Sequence, residues 1–120
     1  MDAAKPSAPV LTPAGFQVLL ALAAGHGHGY GVMGFIEEVT RGDVRLAPGT
    51  LYRTIARLVA DGLVVEADGG DPAAPHDARR RYYELTTQGR AAATREAALM
   101  ARLTEAAGSA GLLHEQDGSR

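Results

Sequence analysis

Cysteine is missing altogether from the 120 residues, which excludes disulfide staples and thiolate metal sites and suits a reducing compartment. No apolar run approaches the roughly 20 residues that a membrane-spanning helix needs. The opening MDAAKPSAPV also lacks the basic stretch followed by an apolar one that marks a secretory signal. The chain therefore reads as soluble and cytoplasmic, a single domain with one appended helix and a core that needs no staples. Parts of familiar catalytic and metal centres are missing too. GDVRLAPGT has no phosphate-binding lysine, and DGGDPAAPHD lacks the ligand spacing and closing glutamate of a calcium loop. His26 and His28 form an H-x-H pair with no further ligand clustered near them in sequence. No enzyme activity, cofactor or metal is expected.

Lysine is nearly absent as well. Of 12 basic residues only Lys5 is lysine, against 14 acidic ones and a formal net charge of −2. That balance does not announce a nucleic-acid partner. Guanidinium forks nevertheless suit phosphate and guanine edges and keep their charge at every working pH, so their positions decide the matter.

What is present runs in a clear order. Residues 1–9, with two prolines, form a loose arm. TPAGFQVLLALAAG carries an N-cap threonine, a proline at the first helical position and Gly25 as a stop, with Phe16, Leu19, Leu20 and Ala23 at helical spacing as a buried face. After the turn HGHGYG a second helix places Val32, Phe35, Ile36 and Val39 on one side, and Gly42 ends it. Val44 to Leu46 is expected as a short edge strand. In RLAPGTLYRTIARLVADGLV, Pro48 opens a third helix, Leu51, Ile55, Leu58 and Val59 form its core stripe, and Gly62 closes it. LVVEAD and RRRYYELT read as strands joined by the loop GGDPAAPHDA, with Tyr83 and Leu85 on one face. Thr86 caps a last helix over residues 87–107, along which Ala92, Leu99, Leu103 and Ala106 make a narrow stripe suited to pairing with a second copy. Residues 108–120 read as a disordered tail. The expected fold is mainly α with a small β-hairpin: a winged helix-turn-helix domain over 10–85, then a C-terminal dimerisation helix over 86–107.

The face of the third helix left over from the core carries Thr50, Arg53, Thr54 and Arg57 in one stripe, with Tyr52 beside it. Hydroxyls, a phenol and guanidinium groups near a helix N-terminus match what a DNA major groove offers. Arg79, Arg80 and Arg81 stand together at the base of the second hairpin strand, a repulsive arrangement that a polyanion would relieve. Asp68, Asp71 and Asp77 in the loop would repel phosphate, so the contact is placed at the hairpin base and second strand.

With these segments on the page, HGYG, LAPGTLYRTIARLVADGLV and RRRYYELTTQGR resemble the signature motifs of the PadR family of bacterial transcriptional regulators, over roughly residues 14 to 107. The resemblance implies a homodimer that pairs through its first and last helices (here Phe16, Leu19, Leu20, Ala92, Leu99, Leu103 and Ala106). It implies binding to double-stranded DNA at an inverted-repeat operator, repression, and response to a small aromatic or drug-like effector. It places Tyr30, Pro48, Gly49, Thr50, Tyr52, Arg57, Arg80 and Arg81 near the DNA. The chain departs from the pattern at three positions. Ala47 replaces a capping serine, Gly31 stands where an acidic residue is common, and Arg53 replaces a common proline. Tryptophan is also missing, which removes the aromatic sandwich that some short members use for planar drugs. The alternative is a winged-helix protein–protein interaction module, which salt-sensitive DNA binding would separate from the first reading.

Overall fold

The computed structural model describes residues 11–67 and 81–113. The expected N-terminal arm, the hairpin loop with Asp68, Asp71 and Asp77, the arginines Arg79 and Arg80, and residues 114–120 lie outside the described residues. Helices α1 (Pro13–Ala23), α2 (Gly29–Val39) and α3 (Pro48–Ala60) are followed by strands β1 (Val64–Ala67) and β2 (Tyr82–Leu85) and by the long helix α4 (Thr87–Ser109). This is the winged helix-turn-helix arrangement with a C-terminal helical extension.

Helix α1 starts where its chemistry dictates. The Gly15 N–H donates to Thr12 Oγ1 at 2.9 Å, Pro13 contributes no N–H to satisfy, and Gly25 turns the chain at a φ of +102°. Its buried stripe differs from expectation. Val18, Leu19, Ala21 and Leu22 enter the core, whereas Phe16 is half-buried and Leu20 and Ala23 are exposed. The same correction applies to two further apolar residues. Val39 on α2 and Val59 on α3 were expected inside, yet both lie on the surface, 55% and 41% exposed. Val32 and Ile36 of α2 and Leu51, Ile55 and Leu58 of α3 are buried. Each such side chain contributes about 1.5–3 kcal/mol on removal from water.

Val44 to Leu46 form no strand, because β1 and β2 pair only with each other in the hairpin and leave the segment no ladder. It is tied down instead by the Val44 N–H, which donates to Thr40 Oγ1 at 3.0 Å, and by packing of Val44 and Leu46 against the core. The hairpin register sets Val64 opposite Leu85 and Glu66 opposite Tyr83. A third short segment joins it: His28 bridges Tyr82, and the Tyr83 N–H donates to the Gly27 carbonyl at 2.9 Å. The turn before α2 is therefore fastened to the wing.

No linker separates the wing from α4. Thr86 Oγ1 accepts from the Gly89 N–H at 2.9 Å and donates to the Gly62 carbonyl at 2.7 Å, while the Thr86 N–H reaches the Leu63 carbonyl at 3.1 Å. Gly89 packs so closely on that same carbonyl that a Cβ would collide with it. This clamp joins the start of α4 to the end of α3. Beyond it α4 runs along α1 as far as Ala97, with Ala92 buried and Ala93 packed on the core, and only Gly89 and Ala92 of its 23 residues are buried. It runs two residues past the expected end at 107. The segment 108–113, expected as part of a disordered tail, completes and caps the helix, with Gly111 at a φ of +84° and the Leu112 N–H on the Ala107 carbonyl.

Candidate nucleic-acid interface

Helix α3 begins at Ala47, whose side chain makes no capping bond, and Pro48. Its first-turn N–H groups consequently point outward without a side-chain acceptor, an electropositive end available to phosphate. Tyr52, Arg53, Ala56, Arg57 and Ala60 are exposed, while Thr50 and Thr54 are half-buried. Arg53 Nη2 donates to Thr50 Oγ1 at 3.3 Å, and Arg57 Nε lies 3.4 Å from Asp61 Oδ2, one turn further along. Tyr52 leans toward α2, where its hydroxyl occupies the space that a side chain at position 29 would need, so a Cβ there would have to displace the Tyr52 ring.

The wing supplies the second cation. Arg81 Nη1 sits 3.3 Å from Glu66 Oε1, a diagonal pair across the hairpin. Beneath it the buried Tyr83 phenol has its pKa raised, first by burial and then by the Glu66 carboxylate, with Arg81 pulling the other way. Tyr30 stands at the start of α2, 71% exposed.

These pieces share one open cleft. A volume of about 680 Å³ between α3 and the hairpin is lined by Tyr30, Tyr52, Val59, Glu66, Arg81 and Tyr83, among others. The structure thus brings Tyr30, Tyr52 and Arg81 together. Thr54 and Arg57 instead face a groove between α3 and the start of α1, which Arg53 also borders. Pro48, Gly49 and Thr50 form the leading turn of α3. Sequence reading overlooked Glu66 and Asp61. The Arg57–Asp61 spacing of four residues was a visible helix signal, whereas Glu66 meets Arg81 only through the strand register. His28 is another addition. It is the α2 N-cap residue, its ring meets Tyr82 edge-on at 5.0 Å, and its Nδ1 is sealed from water without a hydrogen-bond partner. Among the described residues no three acidic or histidine side chains converge as a metal site would require.

The residues expected at a subunit interface divide into two groups. Leu19 and Ala92 are buried within the domain's own core. Phe16 and Leu20 instead line a shallow apolar groove against α4 with Ala23, Ala93 and Ala97. Leu99, Leu103 and Ala106 are exposed on α4, Leu103 at 59%.

The model of the transcriptional regulator PadR-like family matches residues 18–95, a stretch that contains all three motifs. Over 89 residues the chain is 44% identical to an uncharacterized 37.1 kDa protein in transposon TN4556 of Streptomyces fradiae, across 72% of this chain and 23% of that one. Over 60 residues it is 42% identical to transcriptional regulator Rv3488 of Mycobacterium tuberculosis, across 50% and 52%. The chain thus spans about a quarter and about half of these curated relatives. Its fold is similar to that of a transcriptional regulator from Clostridium thermocellum, with a TM-score of 0.64 and 22% identity over 79% of this chain and 89% of that one.

Proposed function

This chain belongs to the PadR-like family of transcriptional regulators, and from that premise we propose that it is a homodimeric repressor that binds an inverted-repeat operator. Each copy lays α3 in a major groove while the wing arginines, Arg81 and its sequence neighbours Arg79 and Arg80, hold the backbone alongside. One observation carries this reading: Tyr52 of the third helix and Arg81 of the wing, 29 positions apart in sequence, open onto a single exposed cleft. Had either been sealed in the core, no surface could straddle duplex DNA. The dimer is supported by α4, whose Leu99 and Leu103 are apolar and exposed.

Selection of bound sequences from random duplexes tests the proposal. A palindrome is expected, with half-sites spaced by whole helical turns of about 34 Å. If the dimer neutralises about six to ten phosphates, log affinity falls with log salt at a slope of roughly −5 to −9. Recovery of no preferred sequence, together with salt-independent binding, would reject it. Release by a small aromatic or drug-like effector completes the reading. It is supported by the tyrosine- and valine-lined cleft, where a bound ring would displace DNA. Aromatic compounds should then raise the melting temperature and weaken operator binding in parallel, and a panel that does neither removes this part.

A further inference from the structure

We propose that Arg53 is the residue of α3 that reads base sequence, and that Arg57 is a backbone anchor beside it. The inference rests on the DNA-binding reading above and assigns roles within the same surface. Successive helix positions turn by about 100°, so the ridge opposite the buried Leu51, Ile55 and Leu58 consists of Gly49, Arg53 and Ala60, with Ala56 and Arg57 each displaced by about 50° to either side of it. All five are exposed. In a helix laid into the major groove this ridge goes deepest. Glycine and alanine let the backbone approach the base edges, and the alanine methyls can meet thymine methyls. Arg53 is the only member with side-chain donors.

The flanks are different. Tyr52 and Val59 face the wing across the large cleft, and Arg57, with Asp61, faces the groove against Leu11 and Thr12 at the start of α1, a groove whose rim Arg53 also borders. Flank positions meet the sugar–phosphate walls rather than the floor of the groove. Arg57 is further held to its flank by the Asp61 carboxylate at 3.4 Å. Arg53, in contrast, makes no ion pair with another described residue. Its guanidinium folds forward over Gly49, where a Cβ would stand 3.4 Å from Nη1, and rests on the neutral Thr50 hydroxyl. That weak partner yields readily to guanine O6 and N7, which match the fork bidentately.

The test uses the full chain and the palindrome selected with it. Binding of the wild type, Arg53→Ala, Arg53→Gln and Arg57→Ala is measured on the operator, on every single-base variant of one half-site, and on random duplex over a salt series. Arg53→Ala should abolish preference at one guanine per half-site, lowering operator affinity by roughly five- to a hundredfold for each half-site while affecting random duplex far less. Arg53→Gln should move the preference at that position toward adenine. Arg57→Ala should weaken operator and random duplex in parallel and flatten the salt slope by about 2 for a dimer. No guanine preference lost in Arg53→Ala, or one lost in Arg57→Ala, overturns the assignment. Failure of the wild type to select any sequence is a separate result, which rejects DNA recognition itself.

Discussion

Tyr83 lies where the wing meets the core, and its phenol is the described group with a clear pKa displacement. Burial and the nearby Glu66 carboxylate raise it above the ordinary 10.0. The folded chain therefore holds that proton more tightly than the unfolded chain does. The stabilisation is complete below about pH 10 and is lost as pH rises through the folded value, because the unfolded state ionises first. Thermal unfolding followed from about pH 9 to about pH 11 should show the wild type losing stability relative to Tyr83→Phe, and parallel curves would remove the effect. A second single-residue test concerns Ala47, the uncapped entry to α3. Ala47→Ser restores an acceptor for the first turn and should add about 0.5–1 kcal/mol, read as a higher urea midpoint.

Glycines on two helices separate conformational cost from steric need. On α2, nothing lies within 4 Å of a Cβ built at Gly34, so Gly34→Ala should stabilise the helix by about 0.5–1 kcal/mol. On α4, Gly89 meets the Leu63 carbonyl directly, and Gly89→Ala must part α4 from the end of α3. A melting temperature that rises for the first variant and falls sharply for the second is the expected pattern. The elements themselves were legible because their ends are written locally: Thr12 and Thr86 cap, Pro48 opens, and Gly25, Gly42 and Gly62 close with positive φ. The arc of each helix that is covered was not legible. Periodicity groups Leu20, Val39 and Val59 with core residues, yet what lies over them depends on neighbours distant in the chain. The bridge from His28 to Tyr82 and the meeting of Glu66 with Arg81 are hidden for the same reason. Of the interface, the exposed face of α3 could be read from spacing alone, whereas the cleft it forms with the wing required the hairpin register.

At the scale of the whole molecule, α4 is a helix of 23 residues of which two are buried, and in the proposed dimer its exposed Leu99 and Leu103 meet the second chain. Leu103→Glu alters an exposed position and should leave the fold intact while shifting sedimentation from dimer to monomer. Because two linked half-site contacts become one, operator affinity should fall by about a hundredfold or more. Unchanged sedimentation would move the seam elsewhere. In the proposed dimer the bonds from Thr86 to Gly62 and Leu63, and the close packing of Gly89 on the Leu63 carbonyl, have a mechanical consequence. With no slack between them, each long helix is a rigid lever whose fulcrum is the tail of its own α3. A few degrees of swivel where the two levers cross must reappear as a change in the distance between the α3 pair, so the crossing angle sets the operator's spacing.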